Sequence, residues 1–173
     1  MRRLILLRHA KSDWPDGTPD HERPLADRGR EAAPVIGAYM AREGLVPDRV
    51  LVSSARRTQE TWALVAPQLR STPEVEREPR IYEASLAALF AVLQAQPVEC
   101  HTLMMVGHNP GFEDLAGRLV DAGPVEARLA MASKFPTGAL AVIDLPVDRW
   151  EDVTPKSGRL DRFITPRALK TDG

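Results

Sequence analysis

A single cysteine, Cys100, stands in the 173 residues. No disulfide can close within the chain, and no cysteine-based metal cluster can form. The thiol lies beside an expected strand and reads as packing. Excess charge is lacking too. The net charge of −1 argues against a general nucleic-acid or membrane-surface role. No apolar run approaches the ~18 residues that span a bilayer. Met1-Arg2-Arg3 opens the chain as a secretory signal would, but the apolar run Leu4-Ile5-Leu6-Leu7 ends at Arg8-His9, too short for one. A cytoplasmic protein is expected. Lysine is scarce: arginine supplies 19 of the 23 basic residues. Arginine meets phosphate through a planar fork, so a local anion pocket can sit under a neutral total.

What is present is an ordinary globular composition, 43% hydrophobic and 27% charged, with enough chain for one domain and a sizeable core. Strands and helices alternate. Leu4 to Leu7 are apolar without alternation, as in a strand buried on both faces, here placed at about 3–8. A polar stretch, 11–24, holds four of the chain's breakers (Pro15, Gly17, Pro19 and Pro24). A helix is expected over 26–43 with Asp27 as N-cap, although Pro34 falls inside it. A strand at 49–53 precedes a helix at 56–69, an extended piece near 75–81 and an apolar helix at 85–95. A strand at 102–106 leads into a helix near 110, with Pro110 in its first turn. Strands follow at 139–145 and, as an edge, at 159–164. The pattern predicts an α/β fold: a three-layer α/β/α sandwich on a mostly parallel central sheet. Residues 1–165 read as a single domain and 166–173 as a loose tail.

Three of the expected strands end on cationic or imidazole groups. The first delivers Arg8 and His9, the second Arg56-Arg57, and the later one Gly107-His108-Asn109-Pro110. In open α/β sheets the carboxyl edge is where ligands bind. This is the composition of a phosphoryl-transfer site with a histidine nucleophile. A neutral imidazole attacks phosphorus, fixed positive donors meet the equatorial oxygens, and a carboxylic acid protonates a poor leaving group. No metal is needed if enough cations are built in. His9 is the expected nucleophile, Arg8 and Arg57 the phosphate clamps, His108 the second imidazole and Glu83 the acid. Two arginines at a helix start oppose the helix dipole, a further hint of an anionic ligand there. His21, in a charged loop, and His101, at a strand entrance, are expected to take no part.

These residues fall into a familiar arrangement. Leu-Leu-Arg-His-Ala-Lys-Ser (6–12) resembles the Arg-His-Gly signature of the histidine phosphatase superfamily, also called phosphoglycerate-mutase-like. Ser53-Ser54-Ala55-Arg56-Arg57-Thr58-Gln59-Glu60-Thr61 is similar to its Ser-x-x-x-Arg-Ala-x-x-Thr motif, which puts Arg57 rather than Arg56 at the catalytic position. Val106 to Gly111 matches the second-histidine motif. Arg23 to Gly29 is similar to the segment that opens the first helix, and Tyr82-Glu83-Ala84 sits where the family places its acid. Within the superfamily the chain looks most like the SixA-type phosphohistidine phosphatases. The resemblance implies a phosphoglycerate-mutase-like fold and a two-step hydrolysis through phospho-His9, with no metal and no cofactor. Ala10 stands in place of the usual Gly. Pro15 follows Trp14 where mutases commonly carry a phosphate-contacting Asn, which counts against mutase activity.

The expected partner is a protein phosphohistidine or a small phosphorylated metabolite, and neither nucleic acid nor membrane. Alternatives are a dedicated sugar- or nucleotide-phosphate monoesterase and a phospho-ligand binding module without turnover. Lys11, Ser12 and Arg23 are candidate substrate contacts. The stretch 124–137 is expected to shape selectivity and could form a lid, with Ser133-Lys134 toward the substrate.

Overall fold

The computed structural model describes residues 1–171. Seven strands form one sheet in the order β3-β2-β4-β1-β6-β7-β5. They are β1 (Arg2–Arg8), β2 (Arg49–Ser53), β3 (Glu74–Glu78), β4 (Thr102–Gly107), β5 (Val120–Ala122), β6 (Leu140–Leu145) and β7 (Gly158–Ile164). Only β6 runs against the others. The helices are α1 (Asp27–Arg42), α2 (Arg56–Val65), α3 (Leu86–Gln94), α4 (Gly111–Leu119), α5 (Val125–Ser133) and α6 (Pro166–Thr171). Among the described residues, no helix is long and apolar enough to cross a membrane.

The unbroken apolar runs explain the layering. Side chains alternate across a strand, so Leu4 and Leu6 enter one core while Ile5 and Leu7 enter the other. Leu103 and Met105 join the first core, Met104 and Val106 the second. The first core is closed by Leu89 and Leu93 of α3 and by Phe112 and Leu115 of α4. The second is closed by Ile36 and Met40 of α1 and by Trp62 and Val65 of α2. Helices on both faces of a mostly parallel sheet give the expected three layers.

Several boundaries differ from the sequence reading. Ala26, not Asp27, occupies the N-cap of α1, without a side-chain cap; Asp27 is the first helical residue and pairs with Arg30. The helix runs through Pro34. α2 ends at Val65, and a 3-10 turn, Ala66–Gln68, replaces its expected last turn, with Pro67 denying it an N–H. β3 ends at Glu78, and Pro79–Ile81 form another 3-10 turn. Leu86 begins α3 under Ser85, whose side chain accepts from the Ala88 N–H at 3.1 Å. β7 is not an edge strand: it lies between β6 and the short β5, and neither β5 nor α5 was expected. The expected loose tail is corrected in part. Residues 166–171 form α6, whose Leu169 packs on the second core; residues 172 and 173 lie outside the described residues.

In the sheet β2, β4 and β1 are neighbours and parallel. Their carboxyl ends are nearly level, with Leu7 beside Val106 and Val106 beside Val52. The residues that follow each strand therefore emerge side by side at one edge.

Candidate active site

His9 follows β1 and is buried, 6% exposed. Its Nδ1 lies 2.7 Å from the Ala10 carbonyl. A carbonyl only accepts, so Nδ1 carries the hydrogen and Nε2 keeps a bare lone pair. The backbone here is held from two sides. The Ala10 N–H donates to Thr61 Oγ1 at 3.0 Å, and the Thr61 hydroxyl donates to the Arg57 carbonyl at 2.7 Å. Thr61 thus ties the β1 terminus to α2. On the other side, the Gly138 N–H donates to the His9 carbonyl at 2.9 Å.

His108 follows β4, and its ring centroid lies 5.4 Å from that of His9. His108 Nε2 is 2.7 Å from Ser53 Oγ at the end of β2. Arg57 begins α2 and is buried, 7% exposed. Arg8 donates from Nη1 to the Phe135 carbonyl at 3.0 Å, and Asn109 Nδ2 donates to the same oxygen at 2.9 Å. The segment after α5 is therefore a wall that orients Arg8.

Three nitrogens of this cluster, Arg8 Nε, Arg57 Nε and His108 Nδ1, are buried with no hydrogen-bond partner among the described residues. Native proteins rarely leave buried donors unpaired. Three such nitrogens together, beside a bare imidazole nitrogen, suit an anion with several oxygens. Burial drives both imidazoles far from their usual 6.5. It holds His9 down at about 3, with His108, Arg57 and Arg8 pushing the same way against the bond to the Ala10 carbonyl. It lowers His108 to about 3 as well, with Arg57 adding to the effect and Asp20 opposing it. Both rings are neutral at ordinary pH. Burial also lowers the Arg8 pKa, against the pull of Glu113.

Beside His108 and Arg57 lies a pocket of about 310 Å³. Ile81 and Leu89 give it an apolar floor, with Tyr82, Glu83 and Pro110 around them. Glu83 is exposed and has φ 53°, the left-handed region that a non-glycine residue adopts only under constraint.

The other expected contacts are placed differently. Ser12 and Arg23 are buried and bonded to each other, Arg23 Nη2 donating to Ser12 Oγ at 2.6 Å. Arg23 Nε donates to the Asp13 carbonyl and Nη1 to Asp20 Oδ1. Arg23 and Arg57 therefore share the Asp20 carboxylate. Lys11 is exposed, and its carbonyl accepts from the Ala26 N–H at 2.9 Å. Arg56 is exposed and pairs with Glu60. His101 serves structure, accepting from Arg2 Nη1 at 2.6 Å.

Three residues beside the site were missed. Asp20 accepts from Arg57, from Arg23 and from the Tyr82 hydroxyl at 2.5 Å. Those donors, the Tyr82 hydroxyl foremost, hold its carboxyl well below the usual carboxylate range. Tyr82 packs edge-on against His108 with centroids 5.6 Å apart. His21, expected to take no part, packs on Tyr82 at 4.7 Å and reaches Ser54 Oγ with Nε2 at 2.9 Å. The one signal in the sequence was the i,i+3 pair Asp20 and Arg23.

Comparison with known proteins agrees with this geometry. The family model of the histidine phosphatase superfamily (branch 1) matches residues 4–94. The uncharacterized protein Rv1276c of Mycobacterium tuberculosis is 34% identical over 163 residues, covering 93% of this chain and all of its own (100%). Among solved structures, a candidate phosphohistidine phosphatase SixA from Agrobacterium tumefaciens superposes with a TM-score of 0.79 at 29% identity, covering 95% of this chain and 98% of its own. A second such SixA candidate, from Nakamurella multipartitia, gives 0.81 at 27% identity, covering 95% and 96%. With its imidazoles and guanidinium groups gathered at one sheet edge, the chain belongs to the histidine phosphatase superfamily and is a phosphatase.

Proposed function

We propose that this phosphatase works through a covalent phosphohistidine on His9. The observation that carries the proposal is the bare Nε2 of a neutral, buried His9 beside three buried side-chain nitrogens that have no partner among the described residues. In the first step Nε2 attacks phosphorus: the N–P bond forms and the bond to the leaving group breaks. Arg8, Arg57 and His108 meet the charge on the equatorial oxygens. An ester oxygen leaves with the Glu83 carboxyl proton. Water then attacks phospho-His9, the N–P bond breaks, and Glu83 regains a proton from that water. Phosphate departs, and His9 is neutral again. The positive charge comes from arginine, so turnover is expected to persist in excess chelator.

The substrate we favour is a phosphohistidine on a protein. A protonated imidazole leaves more readily than an alkoxide, so such a substrate tolerates an acid as exposed as Glu83. The likeness to the SixA candidates supports this reading. The pocket of about 310 Å³ beside His108 supports a second reading, a small phosphomonoester whose leaving group sits on Ile81 and Leu89.

Rapid acid-free quenching during turnover of an aryl phosphate labelled on phosphorus tests the mechanism. An alkali-stable, acid-labile label on His9 is expected, absent from His9→Ala, which stays folded and loses turnover. Wild-type turnover in His9→Ala defeats the proposal. Comparing phosphohistidine protein with sugar phosphates decides the substrate.

A further inference from the structure

Ser53 ends β2 with 0% of its surface exposed, and its hydroxyl oxygen lies 2.7 Å from His108 Nε2. The Ala55 N–H points at the same oxygen from 3.5 Å. The Ser53 carbonyl is occupied separately, by Thr58 Oγ1 and Gln59 Nε2. Among the described residues the Ser53 hydroxyl hydrogen meets no acceptor other than His108 Nε2. Were the imidazole hydrogen on Nε2, that hydroxyl hydrogen would have nothing to bind with or without a phosphoryl group in the site; with the hydrogen on Nδ1, the unpaired donor is the one a phosphoryl oxygen can satisfy.

We infer that Ser53 is a positioning residue: by donating to Nε2, it holds His108 in the tautomer whose Nδ1–H is offered to the phosphoryl group. Nδ1 is the buried nitrogen of this ring that has no partner among the described residues. The assignment gives the two imidazoles opposite tasks. His9 spends its Nδ1 hydrogen on the Ala10 carbonyl and presents a bare Nε2. His108 receives a hydrogen at Nε2 and presents Nδ1–H. What each ring's other nitrogen meets decides whether it attacks or donates. Without the Ser53 donor, His108 could present a second bare lone pair to the phosphoryl oxygens, which repels them. Burial keeps His108 neutral, so the tautomer matters at ordinary pH.

Nitrogen-15 spectra of protein labelled at histidine test the inference on the intact chain. For His108 we expect protonation at Nδ1 in the wild type and in Ser53→Thr, which keeps the hydroxyl. In Ser53→Ala the hydrogen moves toward Nε2. There, kcat for an aryl phosphate falls about 10- to 100-fold, as when the partner that orients a functional histidine is lost, and Ser53→Thr restores most of it. An Nε2–H signal in the wild type overturns the inference, and so does undiminished kcat in Ser53→Ala. The wild-type spectrum reads out even if a variant fails to fold. The kinetic arm alone rests on the proposed mechanism, and His9→Ala tests that mechanism separately.

Discussion

Arg57 donates from Nη1 to the Asp20 carbonyl at 2.8 Å and from Nη2 to the Asp20 carboxylate at 3.2 Å. The Asp20 carboxylate thus holds the guanidinium proposed to receive the substrate phosphoryl group. It orients the fork and also opposes a second anion. Asp20→Asn keeps the oxygen acceptor and removes the charge. We expect inorganic phosphate to inhibit this variant more tightly, by roughly 5-fold for a partly exposed charge. Competitive inhibition constants measure it. Weaker or equal inhibition would mean that Asp20 helps phosphate bind.

Glu83 combines an exposed carboxylate with a left-handed backbone at φ 53°. Glu83→Gln is expected to slow ester hydrolysis by about 10²- to 10⁴-fold, the usual worth of a general acid, and to spare phosphohistidine cleavage. Glu83→Gly removes the same acid but suits the backbone, so stability should rise by up to ~1 kcal/mol. Denaturant titration beside steady-state kinetics shows whether stability rises as ester turnover falls. A Glu83→Gln enzyme with full ester turnover would remove Glu83 as the acid.

The buried imidazoles make stability depend on pH. Each ionises at about 3 in the folded protein, against 6.5 for a solvated histidine. Between those values the unfolded chain binds more protons than the native one, so unfolding is favoured as pH falls. The stability is complete above about 6.5 and is lost progressively toward 3. Each ring contributes on the order of 5 kcal/mol at most. Melting temperatures across this range should fall more steeply for the wild type than for His9→Asn. Parallel curves would contradict the burial of a neutral His9.

Gly29 sits in the first turn of α1, where a Cβ would stand 2.1 Å from the Lys11 carbonyl oxygen. That atom is backbone, so the neighbour cannot swing aside. Gly29→Ala should cost ~1–3 kcal/mol, as overpacking does, and should lower activity, because Lys11 lies two residues beyond His9. Urea unfolding with parallel kinetics checks both. An unchanged midpoint would show that α1 can shift away from Lys11.

Much of this was legible beforehand, because some signals are local. The runs Leu4–Leu7, Val50–Val52 and Leu103–Val106 announced buried strands, and each is one. Arg8, His9, Arg57 and His108 stood out by their position after those runs. β5 and α5 escaped notice. β5 has only three residues, Val120–Ala122, and α5 leaves Val125 and Leu129 exposed, which blurs any helical periodicity. Arg23 is a candidate substrate contact in sequence, and its local sequence says nothing of Asp13, Ser12 and Asp20 closing around it.

The sequence by itself determined which strands are buried on both faces and which reactive groups follow them. Apolar runs and strand-end residues act within a few positions of the chain. Tertiary structure alone decided how those groups work together. The sheet order sets β4 between β1 and β2, which brings His108 against both His9 and Ser53. Loop closure carries Asp20, His21 and Tyr82 to the same edge. A proton's place on an imidazole depends on the atom across the hydrogen bond, and here that atom arrives from another strand.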